Sequence, residues 1–206
     1  MKSVIKKNII LLITILSAGH TGSVFSETTE KEIFPDNIIV EYNNEKIDLS
    51  LTGIAIRKKF FLKIYRMAHY LEQNSSTSFS DDHIYSSVLK HSGAKQISMV
   101  FLRSLTAKQI QDSLITGLKL NMKEEEYLQI LPNVEIFMRA IYEDVKENDE
   151  FVIRWHPDGT MVSLFQGKEI SSIKDENFAR ALWSIWFGDF SVVDRDLLIK
   201  ELLTSS

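Results

Sequence analysis

Histidine, serine and glycine residues in this sequence do not fall into the spacings that catalytic or metal sites require. The five histidines are residues 20, 69, 83, 91 and 156, and no two of them lie three or four positions apart. The zinc-binding pattern HExxH and the serine-nucleophile pattern GxSxG are both absent. The eight glycines are scattered and form no phosphate-binding loop. The sequence therefore predicts no metal site and no cofactor, and it indicates no catalytic residues.

Composition restricts the function further. The chain contains no cysteine, which excludes disulfides, thiolate metal ligands and cysteine nucleophiles. Acidic residues outnumber basic ones by 28 to 24, so the net charge is −4. Nucleic-acid phosphates bind to basic patches, and the sequence shows no such patch. Nucleic acid is therefore not an expected partner.

Residues 1–26 have the layout of a secretory signal peptide. Three lysines near the N terminus precede an almost entirely apolar run from Asn8 to Ala18, and small residues precede a cleavage point ahead of Glu27. An uncleaved membrane anchor is the alternative interpretation. The apolar run is shorter than the roughly 20 residues that cross a bilayer, which favours cleavage. We therefore expect an exported, periplasmic protein.

Removal of the signal peptide would leave 180 of the 206 residues and change the net charge from −4 to −7, because it takes away three lysines and no acidic residue. A chain of that length is suited to one domain with a full hydrophobic core. Residues 27–36 are mostly polar and are interpreted as a flexible lead-in, and residues 37–206 as the domain. No other apolar stretch is long enough to span a membrane, so the mature chain is expected to have no membrane span.

Short runs of β-branched and aromatic residues predict an antiparallel sheet. Asn43 and Asn44 separate two such runs, and asparagine tolerates the positive φ of a hairpin turn. Gly53 predicts a bend, and Gly159 lies in a second turn of the type Pro-Asp-Gly-Thr. The strands are expected at residues 38–42, 45–49, within 51–71, and at 96–102, 151–155 and 161–165.

A period near 3.6 predicts four helices. Thr106 with Gln109 forms a capping box at the first, and the second opens with three glutamates and is expected to end or restart at Pro132. Asp175 and Asp194 are the expected N-caps of the last two. Because strands and helices are grouped separately along the chain, the fold class is α+β, with helices mainly on one face of an antiparallel sheet.

Three stretches resemble the bacterial exported branch of the chalcone isomerase-like family. They are LTGIAIRKKFFLKIYRMAHYLE (51–72), FLRSLTAKQ (101–109) and NFARALWSIWFGD (177–189), and their order and spacing resemble the family over about residues 36–204. The resemblance implies an open-faced sandwich, in which a curved antiparallel sheet packs against a helical layer with a ligand cleft between them. This agrees with the α+β element order.

The resemblance also implies a binding site. In catalytic plant members an arginine after the first glycine-containing strand steadies an anionic substrate, and in fatty-acid-binding members it holds a carboxylate; Arg57 matches it. A guanidinium is always charged and presents a planar fork to an anion. Tyr70 matches the tyrosine of the plant strand, and Tyr65 stands at its threonine. Alternatively, Arg57 belongs to a solvated basic turn with Lys58 and Lys59, and both tyrosines are ordinary strand residues.

Isomerase chemistry is less well supported by the resemblance. The tyrosine and asparagine of the plant helix fall near Ile110 and Gly117, which offer no polar group to a ketone oxygen. We therefore expect non-catalytic binding of a small amphipathic anionic molecule, a fatty or aromatic acid. One alternative is an intramolecular lyase of the chalcone isomerase type. Another is a non-catalytic interaction subunit with an exposed patch near Trp183 and Trp186, although both tryptophans are also suited to a core.

Overall fold

The computed structural model describes residues 32–72 and 83–204. From Phe34 onward the chain forms one compact unit. The predicted signal peptide and residues 27–31, the first half of the predicted lead-in, lie outside the described residues. Among the helices in the described ranges, none has both the length and the apolar character needed to span a membrane.

One curled sheet of seven antiparallel strands forms the framework. Every strand pairs with the next one along the chain, so the spatial order equals the sequence order. The sheet curls into a half-barrel, and this confirms the predicted curved antiparallel sheet of an α+β fold. The strands are β1 (Asn37–Tyr42), β2 (Glu45–Lys59), β3 (Leu62–Glu72), β4 (Lys95–Phe101), β5 (Glu150–Trp155), β6 (Thr160–Phe165) and β7 (Lys168–Lys174).

Five α-helices and one 3₁₀ turn have their bounds within the described residues and accompany the sheet. Neither helix α1 (Ile84–Lys90) nor strand β7 was predicted from the sequence. Helix α1 has only seven residues, about two turns, and β7 alternates only weakly between apolar and polar residues. The helices are α1 (Ile84–Lys90), α2 (Ala107–Leu120), α3 (Glu124–Ala140), α4 (Glu176–Phe187), the 3₁₀ turn (Leu197–Ile199) and α5 (Lys200–Thr204).

Two predicted helix caps are confirmed. At α2, the backbone N–H of Gln109 donates to Thr106 Oγ1 over 3.2 Å, and the backbone N–H of Thr106 donates to Gln109 Oε1 over 2.9 Å. At α4, the carboxylate of Asp175 accepts from the backbone N–H groups of Asn177 and Phe178 at 2.9 and 3.1 Å. These bonds satisfy donors that have no partner inside the helix, so they fix where α2 and α4 begin.

Two helix predictions are wrong. Helix α3 continues through Pro132, which is exposed, because Ile130 and Val134 on either side of it are buried and hold both halves against the core. The last helix does not begin at Asp194. That carboxylate accepts from the backbone N–H of Asp196 at 3.2 Å, and the 3₁₀ turn then separates it from α5.

Helix α4 lies at the centre of the core between sheet and helices. Eight of its twelve residues are buried, and Trp183 and Trp186 are 0% and 1% exposed. Trp183 packs edge-to-face on Trp155 of β5 with ring centroids 5.6 Å apart. Both tryptophans of the predicted helix are therefore core residues, and neither contributes to an exposed aromatic patch.

The first hairpin, formed by β1 and the start of β2, covers the face of the sheet opposite helix α4. Asn43 and Asn44 form its turn with φ values of 51° and 65°, which confirms the prediction. The ring of Tyr42 stacks on His156 after β5 with centroids 3.7 Å apart, and the Tyr42 hydroxyl donates to Thr160 Oγ1 over 3.3 Å. Because β1 and β5 are four strands apart in the sheet, these contacts show how strongly the hairpin folds over this face.

A bulge in β2 produces the bend that was predicted at Gly53. The pairing with β3 shifts between Leu51 and Gly53, and the hydroxyl of Thr52 donates to the carbonyl oxygen of Leu198 over 2.6 Å. A Cβ atom at Gly53 would lie 2.0 Å from the carbonyl oxygen of Leu197. Only glycine fits this position, because the segment before α5 crosses directly over the strand.

Candidate ligand-binding cavity

A cavity of about 350 Å³ lies between one end of the sheet and helices α2 and α4. Its volume is within the range of small-molecule binding sites. Most of its wall is apolar and comes from β3, β4, α2, β5 and α4. The apolar residues include Ile64, Met99, Phe101, Ile110, Leu114 and Phe151.

The polar part of the wall is cationic. Arg57, Lys59 and Arg103 line the cavity, and none of the described residues that line it is an aspartate or a glutamate. This contrasts with the chain as a whole, whose net charge is −4. The wall therefore favours a ligand with an apolar body and a negative charge.

Arg57 lies on β2 directly opposite Tyr65 of β3 in the sheet register. Its Nη1 donates to the carbonyl oxygen of Val192 over 2.6 Å, which orients the half-buried side chain toward the segment after α4. A guanidinium has five N–H donors, so this bond leaves others for a ligand. The structure thus places Arg57 in the cavity wall, although Lys58 and Lys59 beside it are exposed.

Arg103 is a second arginine of the wall that the sequence did not single out. It follows β4, where the backbone N–H of Leu102 donates to the carbonyl oxygen of Ile64 over 2.9 Å and holds this turn beside β3. Its Nε atom is buried and has no hydrogen-bond partner in the part of the chain that the structure describes. A buried donor without a partner costs about 1 to 3 kcal/mol. The Arg103 guanidinium carries four further N–H donors on a side chain that lines the cavity.

Tyr65 brings a hydroxyl group to the same cavity. Its oxygen accepts a hydrogen bond of 3.0 Å from Nε1 of Trp186, and its ring packs edge-to-face on Phe101 with centroids 6.0 Å apart. Burial raises the pKa of Tyr65, opposed by the bond from Trp186 and by the charge of Arg57. The phenol therefore stays protonated at neutral pH and keeps its O–H proton to donate to a ligand.

Tyr70 lies elsewhere. It is five residues from Tyr65 in a stretch of β3 that pairs regularly with β4, so the two side chains project from opposite faces of the sheet. Tyr70 is buried on the face that the first hairpin covers and does not line the cavity. Burial raises its pKa, and the charge of Asp36 adds to this effect. The structure brings Arg57 and Tyr65 together but not Tyr70.

His69 is a structural residue between sheet and helices. Its Nδ1 lies 2.7 Å from the hydroxyl of Thr52, and its Nε2 accepts from Nε1 of Trp183 over 3.3 Å. Because Trp183 donates to Nε2, neutral His69 carries its proton on Nδ1. Burial lowers its pKa well below the usual value, and the charge of Lys95 adds to this. Within residues 32–72 and 83–204, no cluster of three or more histidine, aspartate or glutamate residues is arranged to hold a metal ion.

At the two positions that the isomerase hypothesis concerns, helix α2 offers no polar side chain to the cavity. Ile110 faces the cavity with an apolar side chain. A Cβ atom at Gly117 would lie 2.9 Å from Cγ2 of Ile185, so this glycine serves the close packing of α2 on α4. Gln109 and Ser113 also line the cavity and were not recognised from the sequence, because helical spacing alone does not separate a wall residue from a solvated one.

Comparison with known proteins places this geometry in a family. A search of curated protein sequences finds no significant match. The solved structure of a fatty-acid binding protein from Arabidopsis thaliana is similar, with a TM-score of 0.60 over 82% of this chain and 97% of that chain at 12% sequence identity. That likeness shows the fold. Residues 27–203 match the family model described as chalcone isomerase-like. Because this match spans most of the sequence and the curled sheet with its helices has the same fold, the chain belongs to the chalcone isomerase-like family.

Proposed function

We propose that the protein binds a small amphipathic acid in the cavity between β3, β4 and helices α2 and α4, without catalysing a reaction on it. The observation that carries this proposal is the composition of the cavity wall. Among its described residues the wall is apolar apart from a few polar groups, and it includes three cationic side chains and no acidic one. Such a wall stabilises an apolar body by burial and a negative head group by charge.

The acid group is expected to meet Arg57 and Arg103. Arg57 keeps N–H donors beyond the one bonded to Val192, and Arg103 also lines the cavity. Tyr65 adds a neutral O–H donor on the neighbouring strand. Donors to an ionised acceptor form the stronger class of hydrogen bonds, so these groups favour a carboxylate over an alcohol.

Cavity size limits the ligand. A volume of about 350 Å³ is near the lower end of the range for small-molecule sites, which favours a ligand of modest size. This corresponds to a medium-chain fatty acid or a small aromatic acid. The fatty-acid binding protein of the same fold supports the acid as ligand class. The apolar Ile110 and the packing role of Gly117 support binding over isomerisation.

The charge of the head group provides the test. Decanoic acid, decan-1-ol and decylamine share one apolar chain, and isothermal titration compares their affinities. We expect the acid to bind at least about tenfold more tightly than the alcohol, because one charge-assisted hydrogen bond contributes about that much. The amine is expected not to bind, since the wall is cationic. Equal affinities for the acid and the alcohol would contradict the proposal, and turnover of a chalcone, followed by the loss of its visible absorbance, would favour the isomerase.

Export to the periplasm belongs to the same proposal. It is supported by the lysines and the apolar run of residues 1–26. We expect the protein recovered from the periplasmic fraction of an expressing Gram-negative host to begin at or near Glu27, as measured by intact mass. Recovery of a chain that still begins at Met1, in the membrane fraction, would instead indicate an anchor.

A further inference from the structure

Two phenylalanines at the β2–β3 turn are almost fully exposed. Phe60 is 89% exposed and Phe61 is 90% exposed, more than any other large apolar residue among the described ones. Phe60 adopts a left-handed φ of 56°, which is uncommon for an aromatic residue. Neither ring contributes to the core, so folding does not explain why both are aromatic. Exposed apolar side chains grouped in this way mark a surface that another phase or partner covers.

The same turn is strongly basic. Lys58 and Lys59 precede the two phenylalanines and Lys63 follows them, and all three lysines are exposed. The ten residues from Arg57 to Arg66 contain five basic residues and no acidic one, whereas the chain as a whole is acidic. The expectation from the sequence that the chain has no basic patch is therefore wrong for this segment. We call residues 58–63 the basic aromatic tip.

We propose that the basic aromatic tip docks the protein onto a lipid bilayer that contains anionic phospholipids. Phenyl rings partition into the boundary between head groups and acyl chains, and lysine side chains beside them bind the phosphates. The two parts reinforce each other, because the charges bring the tip to the surface and the rings hold it there.

Size and charge favour a bilayer over a protein partner. A stable protein interface buries about 800 Å² on each side, and two rings at the end of one hairpin offer much less apolar area than that. A second copy of this chain would bring lysines against lysines, which repel each other. Docking to a bilayer requires only a small apolar group that inserts and positive charges that meet the negative lipid surface. The phenylalanines and lysines of the tip provide both.

The position of the tip connects docking with the cavity. Lys59, Phe60 and Leu62 also line the cavity, so a docked tip places the cavity wall at the lipid surface. If the cavity holds an amphipathic acid, as proposed above, the ligand would pass between bilayer and cavity without crossing water. Docking itself does not depend on that ligand, and the two proposals are tested separately.

The absence of cysteine allows a single label to report on the tip. A Phe61→Cys variant carries an environment-sensitive fluorophore, and emission is measured with vesicles of phosphatidylcholine alone or of phosphatidylcholine and phosphatidylglycerol in equal parts. We expect a blue shift only with phosphatidylglycerol. Introducing Lys58→Glu and Lys63→Glu into the labelled chain is expected to weaken vesicle binding at least about tenfold, because each lysine near an anionic surface contributes favourably. Residues 1–31 are the same in every variant, so their contribution to vesicle binding cancels when the variants are compared.

Matched controls separate docking from other causes. The same label at Ile39→Cys, which is 62% exposed on β1 opposite Asp48, is expected to show no shift. The charge control Lys46→Glu with Lys168→Glu changes net charge equally at two other exposed lysines, and is expected to keep vesicle binding. No shift at residue 61, equal shifts at 39 and 61, or equal losses in both double variants would overturn the proposal. A shift that grows with protein concentration without vesicles would assign the tip to a second copy instead.

Discussion

Replacing Arg57 by glutamine is expected to weaken the binding of decanoic acid about 10- to 100-fold and to leave the binding of decan-1-ol nearly unchanged. The Arg57 side chain lines the cavity opposite Tyr65 and keeps N–H donors for a ligand. A hydrogen bond to a charged group contributes about 1.5 to 3 kcal/mol, and about 1.4 kcal/mol corresponds to a factor of ten in affinity. Glutamine keeps a polar side chain but loses the charge and the planar fork. Isothermal titration of both ligands measures the difference.

Lys58→Gln provides the matched control for this prediction. It removes the same unit of charge from the next residue, which is exposed and does not line the cavity. We expect its affinity for decanoic acid to stay within about twofold of the wild type, because an exposed charge is screened by solvent and salt. Arg57→Gln also removes the hydrogen bond from Nη1 to the Val192 carbonyl oxygen, which could change the shape of the cavity. Binding of decan-1-ol measures that second effect. If both ligands lose affinity equally, Arg57 shapes the cavity and does not hold the acid.

Features that a few neighbouring residues determine were predicted from the sequence. The turn at Asn43 and Asn44 and the capping box at Thr106 each depend on the conformational demands of one or two side chains. Placing Arg57 beside Tyr65 required the resemblance to a family, and the hairpin register between β2 and β3 then explains it. Their pairing is local because only the short turn at residues 60–61 separates the two strands.

Parity along a strand explains why Tyr70 lies away from Arg57. Residues five positions apart in a regular strand project from opposite faces, so Tyr65 and Tyr70 cannot line one cavity. That rule was available from the sequence, but it needs a strand without a bulge between the two residues. The pairing of β3 shows a bulge at Ile64, before Tyr65, and none between the two tyrosines.

Long-range contacts account for what the sequence did not reveal. The buried position of Arg103 Nε depends on the turn that the hydrogen bond from Leu102 to Ile64 holds in place, and Ile64 lies 38 residues before Leu102. The Lys95 side chain is buried because it lies against α1 and against the ring of Trp155, which is 60 residues further along the chain. In the sequence both residues resemble ordinary surface cations, because burial of a charge depends on partners that no local pattern specifies.

Lys95 is expected to make the protein more stable as the pH rises from about 7 to about 10. Its side chain is 0% exposed, and its Nζ donates to the carbonyl oxygens of Val88 and His91 at 3.1 and 2.8 Å. Burial lowers the pKa of Lys95 from 10.5 to about 7, and the charge of Arg180 adds to this. Between these two values the unfolded chain holds a proton that the folded chain has released. The free energy of unfolding therefore rises by roughly 1 kcal/mol for each pH unit in this window, and below pH 7 this contribution has no slope because both states are protonated.

The contribution of Lys95 is isolated by comparison with Lys95→Met, which keeps a long side chain and cannot titrate. Urea unfolding at a series of pH values gives the difference in free energy between wild type and variant, and we expect this difference to rise from pH 7 to about pH 10. Lys90→Met, at an exposed lysine in the last turn of α1, is expected to give a flat difference. A flat difference at Lys95 as well would show that its ammonium stays charged up to its ordinary range. The carbonyl oxygens at the end of α1, together with the ring of Trp155 whose centroid lies 3.6 Å from Nζ, would then replace the hydration lost on burial.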